Sequence, residues 1–380
     1  MSRVAVTYRV RCAPADIASV AHGIALEQSV ELPAAALHDA HVARDIAGRV
    51  AGWRPHGDGL FDVDIELAVA TMGGDVAQIV NMLFGNSSLH AHVELVDVRF
   101  PEQVLAALPG PRFGVEGLRN AAGVFDRPLT CAALKPQGLS EDRLAALCET
   151  LARAGIDVIK DDHGLADQAY SPFAERVAAC QRAVERAFES TGHRAVYAPS
   201  AVGSPRRVAQ MARLAHEAGA RALLLAPSLL GLPAFAEIVR EEARVPVIAH
   251  PSFGGATRIA HPLLIGTLYR ALGADAVIFP HASGRFAPPA SACRELARRA
   301  TAPLGTYAAA MPVPAGGLQL ETLADVVAFY GPDVMLLVGG SLLADADRVG
   351  ERAARFAAAV RDAAFARESV SRHEAQGIAQ

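Results

Sequence analysis

Lysine is nearly absent from this chain. Of its 36 basic residues only two, Lys135 and Lys160, are lysine, and the rest are arginine. Arginine serves wherever a permanent positive charge is wanted, whereas a desolvated lysine can lose its proton. The two lysines therefore mark places where the chemistry needs an amine that can be neutral. Cysteine is also scarce. Cys12, Cys131, Cys148, Cys180 and Cys293 are odd in number and never spaced as CxxC, which speaks against a disulfide framework or a cysteine zinc site and for a reducing cytoplasm. There is no basic block, and the net charge is -4, so neither nucleic acid nor an anionic membrane is expected to bind by bulk electrostatics. No apolar run approaches the roughly 20 residues of a membrane span, and the first residues lack a basic-then-apolar signal segment.

What is present is enough apolar material for a large core: 52% hydrophobic against 20% charged residues in 380. The first hundred residues read as a small α+β unit. Val4 to Val10 and Leu60 to Ala70 alternate as strands, Pro14 to Leu26 and Asp75 to Phe84 have helical spacing, and His92 to Phe100 is a further strand. Two strand–helix–strand passages predict a ferredoxin-like sandwich over residues 1–110, closed by the Pro/Gly-rich joint Leu108 to Gly114.

From residue 111 to 380 short apolar runs alternate with alanine- and arginine-rich amphipathic stretches. Eight strands are expected: Leu129 to Leu134, Ile156 to Lys160, Arg194 to Ala198, Ala222 to Ala226, Val245 to His250, Asp275 to Phe279, Met311 to Ala315 and Asp333 to Val338. Eight β/α repeats over about 250 residues are the pattern of a (β/α)8 TIM barrel, whose functional groups sit at the C-terminal strand ends. Both lysines fall at that rim, Lys135 in KPQG and Lys160 in KDDHG with Asp161, Asp162 and His163. So do His250, His281 and Arg285. Alternation along a strand puts Lys160 and Asp162 on one side and Asp161 on the other. An aspartate beside a lysine carrying CO2 as a carbamate offers hard oxygen ligands for Mg2+; without the carbamate it is a salt bridge. The pairs Gly316–Gly317 and Gly339–Gly340, after the last two strands, suit the backbone N–H cradle of a phosphate.

These motifs, in order, resemble the RuBisCO superfamily, and within it the RuBisCO-like proteins that do not fix CO2. ALEQSVELP (25–33) and VNMLFGNSS (80–88) match the small domain; RPLTCAALKPQGLS, GIDVIKDDHG, AHPSFGG, GADAVIFPHASGRF, PAGG and LLVGGSLL match the barrel. The resemblance implies a Mg2+ site of carbamylated Lys160, Asp162 and His163. It implies Lys135 as the proton-transfer residue, His250, His281 and Arg285 at the substrate, and Gly316, Gly317, Gly339 and Gly340 on phosphate. Glu27 and Asn81 would reach the site of a partner subunit, which makes a homodimer the implied minimum. The family's carboxylases have glutamate where His163 stands, a second lysine at Gln137, arginine at Pro251 and lysine at Arg285, so carboxylation is not expected.

The motif set is most similar to the branch acting on 3-oxo-isoapionate 4-phosphate as a transcarboxylase/hydrolase, giving 3-phosphoglycerate and glycolate. That implies a phosphorylated keto sugar acid handled through an enolate. The alternatives are a 2,3-diketo-5-methylthiopentyl-1-phosphate enolase or isomerase of methionine salvage, and a Schiff-base aldolase using one of the lysines.

Overall fold

The computed structural model describes residues 2–377. Its N-terminal part is a four-stranded antiparallel sheet in the order β2-β3-β1-β4. The strands are β1 (Arg3–Arg11), β2 (Arg49–Gly57), β3 (Leu60–Ala68) and β4 (Val93–Arg99), with helix α1 (Ile17–Glu27) between β1 and β2 and helix α2 (Val76–Phe84) between β3 and β4. This is the ferredoxin-like arrangement. Strand β1 shows why it forms: Val4, Val6, Tyr8 and Val10 are all buried while the residues between them face outward. Asp75 caps α2, its side chain accepting from the amides of Ala77 and Gln78. Strand β2, which the sequence pattern does not announce, is the exposed edge. It carries Gly52, Pro55 and Gly57, and its register against β3 shifts twice. Proline and glycine are tolerated there because an edge strand has no second neighbour to bond.

The remainder is the eight-stranded parallel sheet β7-β6-β5-β12-β11-β10-β9-β8. Its strands are β5 (Leu129–Leu134), β6 (Val158–Asp161), β7 (Val196–Ala198), β8 (Leu223–Leu225), β9 (Val247–Ala249), β10 (Ala276–Pro280), β11 (Met311–Ala315) and β12 (Met335–Val338). A bridge between Ser200 and Leu224 ties β7 to β8 and closes the ring. Each expected strand is present, two with the expected ends and the others trimmed or shifted by up to two residues. The runs read as continuously apolar because parallel strands are buried on both faces; all six residues of β5 are buried. Inside the ring, Cys131, Val158, Ala198, Leu224, Ile278 and Val313 belong to one packed cluster, together with Leu118 of the helix Gly114–Ala122, which plugs the barrel's N-terminal end.

Two buried aspartates anchor that lower end. Asp157 takes both arms of Arg127 at 2.7 and 2.9 Å, plus the amide and hydroxyl of Thr130 at 2.8 Å each. Asp275 accepts from the amides of Phe113 and Gly114 at 2.7 Å and of Val247 at 2.8 Å. With its base fixed in this way, the barrel can carry irregular loops at the opposite rim. The small sheet is fastened to one of those loops. The Leu95 amide donates to the carbonyl of Arg258 at 2.9 Å and the Ala260 amide to the carbonyl of Leu95 at 2.9 Å, while Arg299 reaches Asp97 at 2.7 Å. Among the described residues no helix is long and apolar enough to cross a membrane, and the five cysteines are free.

Candidate functional site

The rim brings five of the singled-out residues into one cluster. Lys135 follows β5, and its Nζ lies 2.6 Å from Oδ1 of Asp162, which follows β6. The His163 Nδ1 is 3.2 Å from the same oxygen. Lys160, only 2% exposed, donates from Nζ to the carbonyl of Asp161 at 3.0 Å. His250, after β9, stacks its ring on His163 with centroids 4.3 Å apart and planes 6° from parallel. Strands β6 and β9 are separated in the ring by β7 and β8, so this imidazole pair reaches across the mouth.

The electrostatics follow from burial and neighbours. Burial alone would raise the Asp162 carboxyl, but hydrogen bonds from His163 and Lys135 outweigh it and hold the group below the usual carboxylate range. Burial lowers the Lys160 amine, opposed by the field of Asp162 and reinforced by Lys135. This is the direction that favours a neutral nitrogen. Burial, then the fields of Lys160 and His163, push His250 down to about 2, so its imidazole is neutral throughout the physiological range. Its Nδ1 contacts the Ser252 hydroxyl at 2.8 Å. Lys135 differs from Lys160 in exposure: its side chain is 36% exposed, so it can meet a ligand directly while the other cannot.

Asp161 faces away from this cluster, as strand alternation requires. It accepts from Arg176 Nε at 3.0 Å, the Tyr197 hydroxyl at 2.8 Å and the Ser200 amide at 3.1 Å. Gly164 has no Cβ, which leaves room for the amide of Gln137 to lie against it, so the loops after β5 and β6 pack on each other.

The candidates that follow β10, β11 and β12 lie elsewhere around the rim. His281, after β10, donates its amide to the carbonyl of Ala315 at 3.0 Å and contacts the Tyr330 hydroxyl through Nδ1 at 2.9 Å; burial lowers its pKa. Arg285 is exposed and stacked on Phe286 at 4.9 Å. Gly316 and Gly317 both have positive φ, 83° and 71°. A side chain at Gly317 would run into the backbone of Ser283, whereas Gly339 and Gly340 have open space where a Cβ would stand. Gly317 thus serves loop packing, whereas Gly339 and Gly340 leave the space beside their backbone open. Gly317→Ala should cost about 1–3 kcal/mol, because it adds strain at positive φ to a backbone collision, while Gly340→Ala leaves the melting temperature within about 1 °C by the same reasoning. Thermal unfolding of the two variants checks this.

Glu27 and Asn81 make contacts within the small domain. Asn86 donates to Glu27 at 2.9 Å, and the Asn81 carbonyl accepts from Gln28 at 2.6 Å. Among the described residues no contact joins either to the rim cluster of the same chain. Among the described residues, too, no three His, Cys, Asp or Glu side chains converge as a metal site. The donor set available to a hard cation is Asp162 and His163, and it gains a second carboxylate only if Lys160 takes up CO2. Tyr330 and Ser252 are the partners that sequence motifs do not single out for catalysis. Tyr330 comes from the helix Leu323–Tyr330, far along the chain from His281, and no local signal marks it.

The family described as ribulose bisphosphate carboxylase large chain, catalytic domain, matches residues 114–258. Across the full length, the chain is 47% identical over 358 residues to ribulose bisphosphate carboxylase-like protein 1 of Rhodopseudomonas palustris, covering 94% of this chain and 97% of that one. It is 45% identical over 363 residues to a 5-methylthioribulose-1-phosphate isomerase of Rhodospirillum rubrum, covering 95% and 97%. The crystal structure of a Rubisco-like protein from Rhodopseudomonas palustris superposes with a TM-score of 0.88 at 42% identity, covering 95% of this chain and 98% of that one.

Proposed function

The chain belongs to the RuBisCO superfamily, as one of its RuBisCO-like proteins, and we propose that it isomerises a phosphorylated ketose through an enolate, the substrate being a methylthio-sugar phosphate. The observation that carries this reading is the 45% identity, over nearly the whole of both chains, to a protein named 5-methylthioribulose-1-phosphate isomerase. The rim chemistry agrees with it. Isomerisation takes a proton from the carbon beside the ketone and returns one at a neighbouring carbon, with no other change of atoms, so one mobile proton carrier beside a fixed charge array is sufficient.

Lys135 is that carrier: it is partly exposed, and it is held at Asp162. Its amine takes up the proton from the carbon beside the ketone and, as the resulting ammonium, returns one at the neighbouring carbon. His250, kept neutral, offers the substrate a hydrogen bond without adding charge. The open backbone at Gly339 and Gly340 accepts the phosphate. Lys160 does not touch the substrate. Its buried amine, biased toward the neutral form, attacks CO2 and releases a proton to become a carbamate, which with Asp162 and His163 would hold Mg2+. A divalent cation there would polarise the ketone and lower the cost of the enolate. We place the active protein as a homodimer in which Glu27 and Asn81 complete the partner's site, since neither reaches the rim of its own chain.

A second reading is transcarboxylation and hydrolysis of 3-oxo-isoapionate 4-phosphate, and Arg285 favours it. Among the described residues no carboxylate pairs with this exposed guanidinium, which suits a substrate bearing a carboxylate besides its phosphate. One experiment separates the two. The purified protein, with and without Mg2+ and bicarbonate, is given each compound in D2O. Deuterium entering a rearranged methylthio-sugar phosphate supports the isomerase; release of glycolate from the sugar acid overturns it for the second reading. Turnover that survives EDTA, with a lysine trapped by borohydride, points instead to a Schiff-base aldolase.

A further inference from the structure

The loop after β9 carries a non-glycine residue in the left-handed region, one of four among the described residues. Pro251 to Gly254 form a tight turn, the Gly254 amide donating to the Pro251 carbonyl at 2.9 Å. Phe253 occupies its third position with φ 66° and ψ -3°. Since Ser252 is not among the residues of positive φ, this is a type II turn, and its third position calls for glycine. A phenylalanine there holds a left-handed conformation that costs about 1–3 kcal/mol. Ordinarily burial of the ring would offset that cost, yet Phe253 is 65% exposed. The strain is not relieved by movement of the loop, which is fixed at both ends. At one end the Ser252 hydroxyl and amide engage the His250 ring at 2.8 and 3.2 Å. At the other, Arg258 and Ala260 bond to Leu95 of the small sheet. The turn that orients His250 in the site therefore also presents an aromatic ring three residues along, at the same rim.

We propose that Phe253 is a specificity-determining residue that packs against the apolar substituent of the substrate while the phosphate sits across the rim at Gly339–Gly340. This rests on the isomerase reading, which supplies a substrate with a thioether at one end and a phosphate at the other. A thioether packs well on an aromatic ring, whereas a hydroxyl in its place gains nothing from it. The strained turn is then retained because only a residue with a large side chain does this work, although glycine fits the backbone better.

The test compares wild type with Phe253→Gly and Phe253→Ala on two compounds: the methylthio-ketose phosphate and its analogue with a hydroxyl replacing the methylthio group. Wild type should prefer the methylthio compound by about 10- to 100-fold in kcat/KM, the range that one apolar contact group supports. In Phe253→Gly the KM for the methylthio compound should rise about tenfold while kcat moves less than twofold, the signature of binding shared by ground and transition states. The KM for the hydroxyl analogue should not follow. Phe253→Gly should also melt at or above the wild-type temperature, since glycine removes the strain; a drop in melting temperature would assign the ring a structural role and overturn the inference. So would a shift of the dimer–monomer equilibrium in Phe253→Gly, which would place the ring under a second copy. A preference kept in Phe253→Gly, or absent in a wild type that does turn over the methylthio compound, overturns this inference alone and leaves the isomerase standing. A wild type acting on neither compound overturns both.

Discussion

Lys160→Met abolishes turnover and leaves the protein at least as stable as wild type, while Lys135→Arg lowers kcat by about 10²- to 10⁴-fold, the usual worth of a positioned proton carrier. The two lysines differ in what they give up. Lys160 is buried with its amine biased toward the neutral form, so folding bears a desolvation cost for it that an apolar side chain of similar length would not incur. Its neighbour Asp162 keeps Lys135 and His163 as partners after the substitution, so no charge is stranded. A buried lysine whose removal does not destabilise the fold, yet silences it, is retained for chemistry. Lys135→Arg keeps the ion pair with Asp162 but cannot release a proton. It should therefore leave the Mg2+ dependence of thermal stability unchanged while turnover falls, whereas Lys160→Met loses that dependence as well. Steady-state rates together with melting curves, with and without Mg2+ and bicarbonate, check all of this. Wild-type rates in either variant would remove that lysine from the mechanism.

How much of this is legible in the sequence depends on whether the determinant is local. The eight barrel strands are, because two buried faces make each an uninterrupted apolar run, and Ser140 and Ser204 mark helix starts by accepting from the amides three residues on. The edge strand β2 is not, because every residue in it is partly or fully exposed and its glycines and proline imitate a loop. The rim as a location follows from the fold class, and Lys160 with Asp162 follows from strand alternation. The stacking of His163 on His250 does not, since it depends on closure of the ring between two distant strands. Nor does the division of labour within the glycine pairs: Gly317 and Gly340 look alike in sequence, and only the proximity of Ser283 distinguishes packing from open space. The left-handed Phe253 is likewise invisible, as nothing in AHPSFGG says which residue takes the turn's third position.

Asp161→Ala should cost about 3–5 kcal/mol, the penalty for leaving a buried charge without its partner. Both side chains of the Arg176–Asp161 pair are fully buried. With Asp161 gone, the guanidinium keeps its bonds to the carbonyls of Ser171 and Ala166, each at 2.7 Å, but loses the counter-charge, and the Tyr197 hydroxyl and Ser200 amide lose their acceptor. A urea midpoint lowered in proportion, with the slope unchanged, is the expected result. Replacing both partners with apolar residues of similar size, Asp161→Leu with Arg176→Met, should recover most of that loss, because the desolvation of two charges disappears together with their attraction. Activity should not recover with it. Asp161 stands between Lys160 and Asp162, and its three bonds on the outer side fix the twist that turns those two neighbours inward; Arg176 at the same time holds the loop that follows them. A double variant as stable as wild type but with a lowered kcat would assign the ion pair to positioning. One that is both stable and fully active would leave it no role in setting the site.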